Sequence, residues 1–301
     1  MKSTNLLYIH HVNFYVQDAA FWQKWFEFCL DFQAIATTDS NHTHTIILQQ
    51  EKVQIRVSQA LNRHSPVAKY LEKHPQGIGE IGFAVKEPAP NLIPPWGDII
   101  HTFVPYSTVI EQNQKIYQNQ ESSNLFTAID HVVVNVAEIS STAAWYENMG
   151  LHQGDRFTIQ TPYSALRSVV MKSVDHDPTH PIQVPLNEPS TPNSQIQDFL
   201  NYNNGAGVQH LALLTDDISA TVAKLKQRGI DFLETSPPIL IERQNIISGQ
   251  TLMQIFTKPI FNEPTFFLEI IQRQNLAHGF GERNFQALFE AVERQQLLKT
   301  A

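Results

Sequence analysis

Three ionisable residues lie within apolar, strand-like stretches of the second half of the chain. His131 lies in DHVVVNV, His210 in GVQHLAL and Glu269 in FFLEIIQR. A lone imidazole or carboxylate is costly to bury in such a stretch, and one divalent cation bound by all three would offset that cost. Two histidines and one carboxylate on one side of a metal leave the other side open, as in iron(II) enzymes that activate O2. The sequence therefore predicts a metal site formed by these three residues.

Each of these residues, taken alone, also has an ordinary structural interpretation. A histidine in a strand is more often a hydrogen-bonded core residue than a ligand, and Glu269 could face solvent. Strand alternation places Glu269 on the same face as Phe267, and it points His210 away from Gln209. A barrel built from these strands would bring the three candidate ligands together in a pocket lined by phenylalanines.

The elements that would position the ligands follow an internal repeat. IHHVNFYV (9–16) resembles IDHVVVNV (129–136) in its alternation of apolar and polar residues. Each precedes a helix-like stretch, AAFWQKWFEFCL (19–30) and SSTAAWYENMG (140–150), the second opened by capping serines and closed by a glycine. Such self-similarity indicates two related units that arose by duplication, although short strand–helix patterns also recur by chance.

The later parts of the two halves correspond as well. GIGEIGFAV (77–85) matches GVQHLALLT (207–215) in spacing and apolar pattern. The first half keeps a histidine, His11, in its first strand, but Glu80 stands where His210 stands in the second half. We therefore expect a degenerate first module that binds no metal.

Length and layout predict two domains of α+β class. The 301 residues suit two domains of about 150 each. The predicted boundary lies in the polar stretch Gln112–Asn124, so that residues 1–124 form the first module and 125–301 the catalytic one. Strands are expected before and after short helices, as in α+β folds rather than a doubly wound sheet. In the second module the pattern predicts a helix over 216–228, with Asp216 or Asp217 as N-cap, and strands over 251–258 and 265–273.

The C-terminal segment GERNFQALFEAVERQQLLK has the pattern of an amphipathic helix. Phe285, Leu288, Phe289 and Val292 fall at positions i, i+3, i+4 and i+7. A helix with one such apolar face must pack against another part of the protein.

Composition excludes several classes of function. The chain has 21 basic and 29 acidic residues and a net charge of −8, so nucleic-acid binding is not expected. The single cysteine, Cys29, excludes an internal disulfide and a cysteine-based zinc site. No apolar run is long enough for a membrane span or a signal peptide, and we expect a cytoplasmic protein.

Several ordered stretches together carry a resemblance to a known family. The chain resembles the 4-hydroxyphenylpyruvate dioxygenase family of the vicinal-oxygen-chelate superfamily, strongly from about Ala128 to Gln295 and more weakly over the first half. That resemblance implies two tandem modules of paired βαβββ units, each a half-open barrel, with a C-terminal helix over the active site. The stretches that carry it are DHVVVNV, PLNEP, SQIQDFL, GAGVQHLAL, LMQIFTKP, PTFFLEIIQR and GFGERNF.

The resemblance also implies roles for individual residues. It assigns one Fe(II) per chain to His131, His210 and Glu269, as the residue types do, and it places Gln209 beside a ligand as a supporting residue. Departures from the family are Arg283 and Val134, where glycine is usual, and a shortened segment Thr235–Gly249. The remaining implied site residues are Gln254 and Asn284 in catalysis, and Ser168, Asn187, Gln195, Phe256, Phe267, Phe280 and Phe285 in substrate binding.

The implied reaction converts 4-hydroxyphenylpyruvate, a 2-oxo acid, and O2 into homogentisate and CO2, with ring hydroxylation and side-chain migration. The resemblance further implies a homodimer or homotetramer. Pro185 and Phe280 favour this reaction over that of 4-hydroxymandelate synthase, which starts from the same substrate. A non-catalytic small-molecule-binding member of the same fold is the other alternative. Whether the product serves tyrosine breakdown or prenylquinone synthesis is left open by the sequence.

Overall fold

Two mixed β-sheets organise the computed structural model, which describes residues 6–109, 124–173, 181–245, 247–261 and 265–300. The first sheet has the strand order β2-β3-β4-β1-β5-β6, and the second has the order β12-β13-β14-β11-β7-β10-β9-β8. Each sheet curls into a half-open barrel. The predicted α+β fold of two tandem modules is confirmed.

The first sheet contains one complete βαβββ unit, from β1 to β4. Its second unit contributes β5 and β6, joined within the described residues by a connection without a regular helix. The strands are β1 (Leu6–Val16), β2 (Gln33–Asp39), β3 (Thr43–Gln50), β4 (Val53–Ala60), β5 (Gly77–Val85) and β6 (Ile100–Pro105), and the helices are α1 (Ala19–Leu30) and α2 (Pro66–Leu71).

The second sheet contains two complete βαβββ units, which meet at the antiparallel pair β7 and β11. The first unit comprises β7 (Ala128–Asn135), α3 (Ile139–Met149), β8 (Leu151–Gln160), β9 (Ala165–Ser173) and β10 (Gln183–Pro189). After α4 (Gln195–Asn203), the second unit comprises β11 (Gly207–Leu214), α5 (Ile218–Gln227), β12 (Leu240–Asn245), β13 (Gln250–Phe256) and β14 (Phe267–Gln274). The helix α6 (Glu282–Thr300) follows.

Strand register confirms the correspondence between the two halves that the repeat predicts. In both sheets the first strand of one unit pairs antiparallel with the first strand of the next, at equivalent positions. His11 faces Gly82 as His131 faces Ala212, and Asn13 faces Glu80 as Val133 faces His210. Glu80 therefore occupies the structural position of His210.

Helix ends agree with the predicted caps at Asp217 and at Gly150, which ends α3, and differ at the predicted serines. Asp217 caps α5, because its carboxylate accepts from the backbone N–H of Ala220 at 2.9 Å. The expectation that serines cap α3 is wrong. The N-cap position is Glu138, and Glu188 of β10 accepts the N–H of Ile139 at 2.7 Å. A carboxylate from a neighbouring strand thus takes the place of a local hydroxyl.

The C-terminal helix α6 packs its apolar face on the second sheet, as predicted. Leu288 and Phe289 are buried, and Phe285 packs against both of the small apolar clusters that contain them. None of the helices in the described ranges is long and apolar enough to cross a membrane.

A shared apolar core joins the two sheets. Phe14 of β1 packs edge-on against Phe266, which directly precedes β14, with ring centroids 5.3 Å apart. Lys224 and Arg228, at the end of α5, form ion pairs with Asp31 at 2.6 and 2.8 Å. The predicted boundary at 124/125 adjoins residues 110–123, which lie outside the described residues, and it stays a prediction.

Replacement of Phe266 by alanine tests this shared core. Phe266 is 1% exposed, so we expect Phe266→Ala to lower the free energy of unfolding by about 3–5 kcal/mol. Urea titration followed by circular dichroism measures this change. Phe28, at 68% exposure, is the matched control, and Phe28→Ala should change stability by less than about 0.5 kcal/mol. Equal losses in the two variants would contradict a common core at Phe266.

Candidate metal centre

Three adjacent strands bring His131, His210 and Glu269 together. Across β7, β11 and β14, Ala212 faces His131 on one side and Glu269 on the other, and His210 lies two residues earlier on the same face of β11. Because Ala212 has only a methyl group, space remains above it for the three longer side chains. The pleat of the sheet thus positions all three candidate ligands.

The ligand atoms of this cluster point at one another. Oε2 of Glu269 lies 3.2 Å from Nε2 of His131 and 3.4 Å from Nε2 of His210. One possible ligand atom from each residue lies within 4.8 Å of the others, and all three residues are buried. Within the described part of the chain, this is the one such grouping of histidine, cysteine and carboxylate side chains.

Electrostatics keep the carboxylate ionised. Burial raises the pKa of Glu269, but the charge of His131 and its hydrogen bond outweigh burial and lower that pKa to about 2. For His131, burial lowers the pKa, but Glu269 and Asp130 together raise it to about 9. Burial lowers the pKa of His210. The cluster therefore holds one carboxylate, one neutral imidazole and one proton on His131 that a divalent cation would displace. This nitrogen, nitrogen and oxygen donor set fits a divalent transition metal.

Two residues that were not predicted from the sequence support His131 on its Nδ1 side, away from Glu269. Asp130 accepts from Nδ1 of His131 at 2.7 Å, which leaves Nε2 free for a metal. Arg273 in turn donates to both oxygens of Asp130, from Nε at 2.6 Å and from Nη2 at 2.8 Å. Asp130 was visible in the sequence as a second ionisable residue in an apolar stretch, but nothing there pointed to Arg273.

Two β-bulges bring the side chains of Asp130 and Gln209 onto the rings of His131 and His210, the residues that follow them in the chain. The register between β7 and β11 shifts at Asp130 and again at Gln209, so neither residue has a partner across the ladder. Oε1 of Gln209 lies 3.2 Å from Nδ1 of His210. The expectation that alternation turns His210 away from Gln209 is wrong here, because the bulge brings the two side chains into contact.

The Arg273 side chain also fixes the connection that leads into α6. Its Nη1 donates to the carbonyls of Ala277 and Gly279 at 3.2 and 2.9 Å. Gly281, the last residue before the helix, has φ of 64°, and a Cβ there would lie 3.0 Å from Oε1 of Gln254. One guanidinium thus links the support of His131 to the start of the covering helix.

A cavity of about 340 Å³ opens in front of the three candidate ligands. Gln254 donates to Oε1 of Glu269 at 2.8 Å, and Asn284 of α6 donates to Oε1 of Gln254 at 2.8 Å. The sequence-predicted residues that line the cavity with the ligands are Ser168, Asn187, Gln254, Phe256, Phe280 and Phe285. The first unit of the second sheet, the second unit and α6 all contribute to its wall.

Three of the predicted site residues line a neighbouring cavity of about 230 Å³ under α6 and not the main cavity. These are Gln195, Gln209 and Phe267. Phe267 stacks on the ring of His210 with centroids 4.8 Å apart, and Gln195 donates to the carbonyl of Phe289 at 3.1 Å. Gln209 and Phe267 contact the candidate ligand His210, and Gln195 contacts α6. These three residues therefore support the wall of the main cavity without lining it.

Two buried polar atoms of the main cavity have no hydrogen-bond partner among the described residues. These are Oγ of Ser168 and Oδ1 of Asn187. The register of β9 and β10 places the two residues directly opposite each other. Because an unpaired buried polar atom is costly, this pair is suited to bind a polar group of a ligand.

Arg283, the departure from the family pattern near the C-terminus, lies away from the cavity. Its side chain is exposed at the first turn of α6, and its backbone N–H donates to Oε2 of Glu242 at 3.3 Å. The residue therefore adds a contact between α6 and β12 and leaves the cavity lining unchanged.

Comparisons with known proteins agree with this fold. The profile of the glyoxalase/bleomycin resistance protein/dioxygenase superfamily matches residues 130–246. The 4-hydroxyphenylpyruvate dioxygenase of Dictyostelium discoideum is 30% identical, over 95% of this chain and 97% of the relative. An uncharacterized protein of Synechocystis sp. is 31% identical, over 94% and 96% of the two chains. Among solved structures, a triple mutant of 4-hydroxymandelate synthase from Streptomyces coelicolor superposes with a TM-score of 0.82 at 28% identity, covering 97% of this chain and 99% of that one.

A double-mutant cycle tests the buried pair behind His131. Arg273→Met leaves the Asp130 carboxylate without its partner, so we expect a stability loss of about 3–5 kcal/mol in chelator-treated protein. Asp130→Asn combined with Arg273→Met removes both charges and should recover part of that loss. Urea unfolding of Arg273→Met, Asp130→Asn and the double variant measures the coupling. Additive losses would contradict a direct charge pair.

Proposed function

Since the chain belongs to the 4-hydroxyphenylpyruvate dioxygenase family, we propose that it is an Fe(II)-dependent enzyme that converts 4-hydroxyphenylpyruvate and O2 into homogentisate and CO2. The observation that carries this proposal is the buried cluster of His131, His210 and Glu269 at the end of an apolar cavity. An ionised carboxylate beside two imidazoles in such surroundings suits a bound divalent cation.

In this proposal Nε2 of His131, Nε2 of His210 and a carboxylate oxygen of Glu269 hold one iron per chain. When bound, the ferrous ion supplies open coordination positions where a 2-oxo acid and O2 can meet. Gln254 keeps the carboxylate in place, because its amide donates to the oxygen of Glu269 that lies away from the histidines. Asp130 and Gln209 hold the two imidazoles by their Nδ1 atoms.

The remaining cavity residues bind and enclose the substrate. Ser168 and Asn187, with their unpaired polar atoms, would hold a polar group of the substrate. Phe256, Phe280 and Phe285 would pack against its aromatic ring and exclude water. The ring of Phe280 lies 4.8 Å from that of His131, so the aromatic wall reaches the metal position.

The helix α6 would act as a gate over this cavity. It contributes Asn284 and Phe285 on the cavity side, and Arg273 holds the loop before it by two carbonyl oxygens. A covering element of this kind admits the substrate and then encloses it. Assembly into a dimer or tetramer stays a prediction from the family resemblance.

A second candidate function is the synthesis of 4-hydroxymandelate. The structural similarity to a 4-hydroxymandelate synthase, at a TM-score of 0.82, favours its consideration. Pro185 and Phe280 line the cavity here, and by the resemblance both are residues of the ring-hydroxylating type. Fold similarity alone does not decide between two reactions on one substrate.

Product analysis separates these functions. The protein is loaded with ferrous iron under anaerobic, reducing conditions and then given 4-hydroxyphenylpyruvate and O2. We expect O2 uptake with homogentisate and CO2 formed in equal amounts. 4-Hydroxymandelate as the product would assign the synthase reaction instead. Iron-loaded protein that binds 4-hydroxyphenylpyruvate but consumes no O2 would indicate a non-catalytic binding protein.

Loss of one ligand tests the metal assignment separately. We expect His210→Ala to lose iron and turnover but to keep its fold, because His131 and Gln254 still contact the Glu269 carboxylate. Iron content after gel filtration and far-UV circular dichroism measure these properties. His152 on β8 is exposed, and His152→Ala, as the matched control, should bind iron normally. Full iron occupancy in the His210→Ala protein would contradict the assignment.

A further inference from the structure

The concave side of the first sheet encloses a second, more polar cavity. It is open to solvent, has about 600 Å³ of empty space, and lies outside the proposed catalytic site. Its lining includes the charged residues Arg56 and Glu80 together with Asn13, Thr45 and Ser58. The lining of the cavity in the second sheet is mostly apolar apart from the candidate ligands and a few amides and hydroxyls.

Strand register shows that the two cavities use the same positions of the fold. Five residues of the polar cavity have a counterpart at the matching place in the second sheet, but the chemistry differs. The pairs are Asn13 with Val133, Thr45 with Ser168, Arg56 with Pro185, Ser58 with Asn187 and Glu80 with His210. The first sheet has therefore kept the shape of a binding site, and it carries one cation and one anion in place of a metal cluster.

Glu80 is a fixed anion at the base of this cavity. Its carboxylate accepts from Nε2 of His11 at 3.2 Å, from Nδ2 of Asn13 at 2.9 Å and from Oγ1 of Thr102 at 2.8 Å. Burial raises the pKa of Glu80, but the hydrogen bonds and the nearby Arg56 outweigh it and lower that pKa to about 2. The carboxylate is therefore ionised at neutral pH.

Arg56 supplies the positive charge. Its Nε donates to Oε1 of Gln54 at 3.1 Å. Within the described residues no ion pair joins its guanidinium to a carboxylate at 4.0 Å or less, so its terminal amino groups remain for a ligand. The guanidinium is partly buried, and a bound carboxylate would offset the cost of removing it from water without a paired anion.

Asn13 requires a donor from the ligand. Its Nδ2 donates to Glu80, which as an ionised carboxylate can only accept, so the orientation of the Asn13 amide is fixed. Its Oδ1 is buried without a hydrogen-bond partner in the described part of the chain, and the residue is 5% exposed. This oxygen can therefore accept a hydrogen bond from a ligand's ammonium or hydroxyl group that lies beside the Glu80 carboxylate.

We propose that this cavity binds a free α-amino acid, with its carboxylate on Arg56 and its ammonium group between Oδ1 of Asn13 and the carboxylate of Glu80. A zwitterion pairs both fixed charges at once. A simple carboxylate leaves Glu80 facing an uncharged group, and a simple amine leaves Arg56 unpaired. This site is independent of the proposed catalytic function.

A ligand panel on the iron-loaded, unmodified chain tests the proposal without any substitution. Isothermal titration calorimetry is run with each common L-amino acid. For each amino acid that binds, two analogues with the same side chain follow: the 2-hydroxy acid, which lacks the ammonium group, and the primary amine, which lacks the carboxylate. We expect at least one amino acid to bind, and to bind at least about tenfold more tightly than either analogue. No binding of any amino acid at millimolar concentration, or equal binding of the hydroxy acid, would overturn the proposal.

Substitutions then locate the binding site. Arg56→Met should weaken amino-acid binding at least about tenfold, whereas Arg63→Met, at an exposed position outside the cavity, should leave it unchanged. His210→Ala should also leave it unchanged, which excludes binding at the candidate metal centre. If Arg56→Met fails to fold by circular dichroism, Asn13→Leu is used with the same expected loss. Undiminished binding in the folded variant would overturn the assignment of this cavity.

Discussion

The carboxylate of Glu269, buried between two imidazoles, is the constraint on which the second sheet depends. It needs positive charge beside it, and the proton on His131 supplies such a charge. A second buried pair, Asp130 with Arg273, holds that histidine from the other side. Removing one member of such a network would leave a charge buried and unpaired, so the residues that support the centre are fixed together.

The surrounding fold follows from the need to place three side chains at one point. Three adjacent strands contribute one residue each, and Ala212 leaves the space between them. Bulges at Asp130 and Gln209 turn supporting side chains toward the ligand rings at the cost of two ladder positions. The helix α6 then covers the cavity from outside and is joined to the same network through Arg273.

The sequence predicted the features that depend on local pattern and not those that depend on distant partners. Ionisable residues in apolar strands pointed to His131, His210 and Glu269, and the four-residue apolar face of the last helix predicted how α6 packs. The bulge at Gln209 was not predictable, because regular alternation assumes an unbroken ladder. The role of Arg273 was missed because its partner Asp130 is far away in the chain. The expected serine cap was wrong because the helix begins one residue earlier, at Ile139, whose N–H is bound by Glu188 of another strand.

The most direct test of the account is to locate a metal in crystals of the protein. Crystals grown anaerobically with ferrous iron are measured at the iron absorption edge, and an anomalous difference map is computed. The account predicts one strong peak per chain within bonding distance of Nε2 of His131, Nε2 of His210 and a carboxylate oxygen of Glu269. A peak bound elsewhere, or an ordered site in which these three side chains hold no iron, would contradict it.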